Sequence, residues 1–122
     1  MHLVYANPSR NALHLIMVGA LDKADGDTLL EDARRALALL SPGFSVLTDL
    51  RDLRSEDQEA SHSIRNLMDM CKAHGAKRVV RIVSKMTENF GFTLMSYFHY
   101  DKSVSVMTVL NLEDALRFLE SE

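Results

Sequence analysis

PGFSVLTDLRDL, residues Pro42 to Leu53, is the stretch that decides the fold. Pro42 lacks the N–H a helix needs and Gly43 tolerates left-handed backbone, so the pair ends any helix before it. Phe44 to Leu50 then runs almost continuously apolar up to Asp49, the pattern of a strand covered on both faces. Arg51, Asp52 and the acid- and serine-rich residues after them leave the strand and lead into another helical pattern. The stretch thus reads as a buried central strand between two helices.

Outward from it the alternation continues. On the N-terminal side, residues 22–40 read as a helix, with Asp25 or Asp27 as cap and Leu29, Ala33, Leu37 and Leu40 on one face. Before it, His2 to Tyr5 and Leu13 to Gly19 read as strands around the turn residues Asn7, Pro8, Ser9 and Asn11, an opening hairpin. On the C-terminal side, residues 56–73 read as a helix. Ser55 and Gln58 form its expected capping box, Ala60, Ile64, Leu67, Met68 and Cys71 its inner stripe, and His74-Gly75 its end. Lys77 to Val83 reads as a strand, residues 85–100 as a third helix capped by Thr87, and Val104 to Leu110 as the last strand. A closing helix over 111–120, capped by Asn111, turns Leu112, Ala115, Leu116 and Leu119 inward. The expectation is one domain, residues 1–122, of α/β class in the order β-β-α-β-α-β-α-β-α. Its five-stranded sheet is mixed but mostly parallel, with four covering helices.

The totals narrow the function. The chain has 122 residues, 47% apolar and 25% charged, with a net charge of −3. Nucleic acid is not the expected partner, since phosphate binding needs a concentrated basic face and the nearest approach is Lys77, Arg78 and Arg81. One cysteine, Cys71, forms no internal disulfide, and a cytoplasmic setting is expected. No leader pattern and no apolar run near the roughly 20 residues of a bilayer span is seen.

Several groups in the sequence bear on chemistry. Asp49, Asp52, Glu56, Asp57 and Glu59 cluster in sequence, without the spacing of a calcium loop and with Arg51 and Arg54 at hand to neutralise them. None of His2, His14, His62, His74 and His99 stands at zinc-ligand spacing. His14 is expected at a strand edge and Cys71 in the core. No nucleophile elbow and no Gly-rich phosphate loop occurs. Catalysis, metal and cofactor are not expected. The predicted helix over 85–100 is apolar beyond a single stripe. Phe90 and Phe98 serve the core stripe, and Phe92, Met95 and the nearby Met86 extend it toward a second buried surface. That surface reads as a homodimer face, a protein-partner groove or the wall of a pocket for a small apolar ligand, against a helix merely sunk deep in its own fold.

LHLIMVGALD (13–22), LLSPGF (39–44), VLTDLRDL (46–53), AHGAKRVV (73–80) and VLNLEDALRFL (109–119) together resemble the STAS family. This is the domain of anti-sigma-factor antagonists and sulfate-transporter tails. The nearer resemblance is to the stand-alone SpoIIAA-like, or STAS/SEC14-like, bacterial proteins, and it covers almost the whole chain. It implies a regulatory protein acting by protein–protein contact, switched by a kinase at an Asp-Ser-Ser-Gly or Asp-Ser-Thr-Gly element that opens the helix after the central strand. Laying Asp49-Leu50 on the family's strand end puts Asp57-Gln58-Glu59-Ala60 over that element. The aspartate is kept; the phosphoacceptor and the glycine are not. Glu59 brings a fixed negative charge there, read first as what a helical first turn favours on dipole grounds alone and only secondarily as an imitation of a phosphorylated residue. Ser55, Ser61 and Ser63 are the alternative acceptors, read otherwise as a cap and two solvated helix positions.

Overall fold

The computed structural model describes residues 1–84 and 104–120. Strands β1 (His2–Asn7) and β2 (Ala12–Met17) form the opening hairpin, followed by a short β3 (Gly19–Leu21) and helix α1 (Lys23–Leu37). Next come β4 (Ser45–Asp49), β5 (Leu53–Glu56) and α2 (Gln58–His74), then β6 (Arg78–Ile82), β7 (Ser105–Val109) and α3 (Leu112–Glu120). The main sheet has the order β1-β2-β4-β6-β7. β1 is antiparallel to β2, and every other pairing is parallel. This is the expected mixed, mostly parallel five-stranded sheet. Three helices are described; the predicted helix over 85–100, with Met86, Phe90, Phe92, Met95 and Phe98, lies outside the described residues.

Side chains alternate across the strands and so divide the core. Leu13, Leu15, Met17, Val46 and Val79 face α1 and α2, which supply Leu29, Ala33, Leu37, Ile64, Leu67 and Met68. Leu47, Val80, Ile82 and Val109 face the other way and meet Ala115, Phe118 and Leu119 of α3. β4 is therefore covered on both faces, which is why its sequence is nearly all apolar. Full burial of a side chain such as Phe44, wholly shielded here, is worth roughly 1.5–3 kcal/mol. The expected inner face of α3 shifts: Leu112 is 44% exposed, while Phe118 packs in.

The helix stops work as their residues dictate. α2 ends on Gly75 at φ +102°, a left-handed conformation that costs glycine little. A Cβ there would also lie 2.9 Å from Pro42 Cα, and the Gly43 N–H donates to Gly75 O at 2.7 Å. The ends of α1 and α2 are thereby held together at the edge where β4 and β6 begin.

Two elements were not expected. β3 and β5 pair in parallel as a separate two-stranded sheet, with the Gly19 N–H bonded to Asp52 O at 2.9 Å. Four residues with one buried side chain, Leu53, are too short for a periodic signal. Arg81, read as part of a basic trio, is only 2% exposed. It lies between Thr48 and Thr108 in register, and its Nη2 donates to Thr108 Oγ1. Burial pushes its guanidinium pKa down to about 10. The alternation of Val79, Arg81 and Val83 carried that signal, because all three fall on one face of a covered strand.

Candidate functional site at the head of α2

The C-terminal ends of the parallel strands and the head of α2 bring the sequence-singled residues together. Asp49 closes β4, and its carboxylate is gripped by Arg51: Oδ1 accepts the backbone N–H at 3.1 Å and Nε at 3.0 Å, and Oδ2 accepts Nη2 at 2.7 Å. Burial raises the Asp49 pKa, and the hydrogen bonds and charge of Arg51 more than offset this, so it sits below its ordinary value. The acid is a structural anchor for the turn.

Asp57, not Ser55, caps α2. Its Oδ1 accepts the Ala60 N–H at 2.8 Å, and its own N–H donates to Leu21 O at 3.0 Å. Ser55 is exposed on β5, drawn out of the capping position by the pairing with β3. At the other helix, Asp22 is the cap, and Asp25 is the third helical residue that closes the box: Asp22 Oδ1 accepts the Asp25 N–H at 2.9 Å, and Asp25 Oδ2 accepts the Asp22 N–H at 3.0 Å.

The remaining candidates separate by burial. Gln58 and Glu59 are exposed in the first turn of α2. Ser61 is half-buried, near the Glu56 carboxyl. Burial raises the Glu56 carboxyl pKa; the Ser61 hydroxyl and the charge of Arg65 oppose this without cancelling it. Ser63, expected to be solvated, is buried against α1, where a Cβ on Gly26 would come within 2.7 Å of its Oγ. The close approach of α1 is what covers it. Among the described residues, no group of three or more metal-ligating side chains converges.

Other sequence candidates lie elsewhere. Cys71 is buried in the main core, its thiol pKa pushed up to about 12 by burial. His74 turns its ring to Leu40 O at 3.0 Å and edge-on to Phe44. His14 is not at an edge, because β2 is flanked by β1 and β4; it stacks on Tyr5 with ring centroids 4.6 Å apart. It also lines a cavity of about 390 Å³ with Arg10, Ser45, Leu116, Leu119 and Glu120. That cavity opens where β2 and β4 begin, at the opposite edge of the sheet from the head of α2. Sequence reasoning did not find it, since its walls come from a hairpin and a helix more than 100 residues apart. Among the described residues, no helix is long and apolar enough to cross a membrane.

Comparison with solved structures places this architecture. The chain is similar to an uncharacterized protein of the DUF3478 family with a SpoIIAA-like fold from Shewanella loihica PV-4, at 20% identity and a TM-score of 0.76, over 97% of this chain and 93% of that one. It is similar to the anti-sigma factor antagonist SpoIIAA in its unphosphorylated form, at 12% identity and a TM-score of 0.71, over the whole of both chains. It is also similar to the Bacillus cell fate determinant SpoIIAA in the phosphorylated form, at 11% identity and a TM-score of 0.63, over 98% of this chain and all of that one. No protein-family model and no curated protein sequence matches the chain. The fold is SpoIIAA-like, as the sequence resemblance implies.

Proposed function

We propose, from the SpoIIAA-like fold, that this protein is a non-catalytic regulatory or scaffold protein that binds another protein through the head of α2. The observation that carries the reading is the arrangement of that turn. Asp57 caps it, and Gln58 and Glu59 stand exposed where the resemblance expects a phosphoacceptor. Two of the nearby carboxylates are committed to structure: Asp49 to Arg51 and Asp57 to Ala60. A surface of fixed charge suits a binding face that is not switched at this position. The apolar residues Phe92 and Met95 of the predicted helix are the second contact surface in this reading.

Affinity capture from the protein's own cells, beside the Glu59→Lys variant, tests it. A protein that binds the purified wild type in a defined complex and is lost on Glu59→Lys supports the reading. Undiminished binding by that variant overturns the role of the α2 head. Phe92→Asp, with folding intact, tests the second surface in the same way. Mass spectrometry of the captured protein reads phosphate on Ser55, Ser61 and Ser63; phosphate on any of them that alters binding would replace the fixed surface with a switched one.

A further inference from the structure

Among the described residues, β1 is an edge strand without the usual protection. Exposed edges in native sheets are blunted by charge, proline, a bulge or shortness, because a free ladder pairs with other chains. His2 to Asn7 (HLVYAN) contains no Lys, Arg, Asp, Glu or Pro, and its six residues pair with β2 in unbroken register. Its one ionisable side chain in that run besides Tyr5, His2, is turned to α1, with Nε2 2.8 Å from Asp32 Oδ2. Leu3 and Tyr5 remain 53% and 43% exposed.

The ladder sets which groups are free. The Val18 N–H donates to Met1 O at 2.8 Å, so Met1 and Val18 form a hydrogen-bonded pair. Antiparallel ladders alternate, so Leu3, Tyr5 and Asn7 also turn their backbone groups to β2. His2, Val4 and Ala6 then direct their N–H and C=O groups out from the sheet edge.

We propose that two copies of this chain pair antiparallel along β1, about a two-fold axis through Val4, to make one continuous sheet across both. This register sets Val4 against Val4 of the second copy, and His2 and Ala6 against Ala6 and His2. All three outward-facing residues are then satisfied in hydrogen-bonded pairs; centring the axis on Leu3 or Tyr5 would satisfy only two. The same register sets Leu3 directly opposite Tyr5 of the second copy, twice, in the closer non-hydrogen-bonded spacing. The exposed apolar side chains of β1 thus cover one another, and an isologous contact needs that self-complementarity. On the other face, α1 flanks β1 through Asp32, with Arg35 one turn further on. The inference is independent of what the α2 head binds.

Mass in solution by light scattering and sedimentation equilibrium tests it, on wild type and two double variants. The positions changed are exposed in the monomer, and circular dichroism checks that each variant folds. Wild type is expected at twice 13.7 kDa. Leu3→Lys with Tyr5→Lys sets like charges opposite each other and is expected at the monomer mass. Leu3→Lys with Tyr5→Glu sets opposite charges there and is expected to recover the dimer. A monomeric wild type at high micromolar concentration overturns the proposal. So does a dimer that both variants leave intact, or that both abolish.

Discussion

Gly26 of α1 lies directly against Ser63 of α2: a Cβ at position 26 would fall 2.7 Å from Ser63 Oγ and 2.8 Å from Ser63 Cβ. The two helices that cover one face of the sheet touch there at nearly backbone distance, with Ala60 Cα also 3.2 Å away. Replacing glycine by alanine inside a helix ordinarily gains up to about 1 kcal/mol. Here the overpacking wins, because Ser63 Cβ cannot rotate away. Gly26→Ala is expected to lose about 1–2 kcal/mol in urea unfolding, and adding Ser63→Gly is expected to recover part of it. A gain in stability from Gly26→Ala alone would show that the helices are further apart.

The cap assignment at α2 separates two neighbouring residues. Asp57→Ala removes the acceptor of the Ala60 N–H and is expected to cost about 1 kcal/mol. Ser55→Ala removes an exposed hydroxyl from β5 and is expected to change stability by less than about 0.5 kcal/mol. Thermal unfolding of the two variants side by side decides which residue caps the helix.

Cys71 supplies a probe of opening. Its thiol is buried and its pKa is pushed up to about 12, so almost no thiolate is available near neutral pH. Labelling by a disulfide reagent is expected to be slow and to accelerate with urea in step with unfolding. Rapid labelling without denaturant would mean that α2 detaches locally from the core.

His14 links stability to acidity. Burial first, and the charge of Arg10 second, hold its pKa below the ordinary 6.5 in the folded chain. Above pH 6.5 it is neutral in both states, and its contribution is complete. Below 6.5 the unfolded chain takes up a proton that the folded chain refuses, so stability falls as pH drops toward the lowered folded value. His14→Gln is expected to flatten that slope in unfolding curves taken on either side of pH 6. An unchanged slope would exclude His14 as its source.

How far the chain could be read follows from what each residue answers to. The apolar stripes of α1 and α2 and the run Phe44–Leu50 were legible because burial imposes a period, and the apolar side chains of all three are buried as expected. Gly43 and Gly75 were legible as stops because both take positive φ. The caps were misplaced by a few residues, Asp22 for Asp25 or Asp27 and Asp57 for Ser55, because several oxygen-bearing side chains stand close together at each helix start. The backbone path that selects one of them is set by β3 and β5, whose pairing joins residues more than 30 apart.

By itself, the sequence determined the order of the five main-sheet strands and of the three described helices, the mixed and mostly parallel sheet, and the membership of its main core, because hydrophobic periodicity and helix punctuation are local. Only the tertiary structure decided that Arg81 is buried between Thr48 and Thr108 and that Ser63 is shut beneath Gly26. It alone decided that β1 stands at the edge of the described sheet, with the backbone N–H and C=O of Val4 turned outward. Each of these depends on which strand or helix comes alongside, and that is settled by contacts between segments far apart in the chain, where no local pattern reaches.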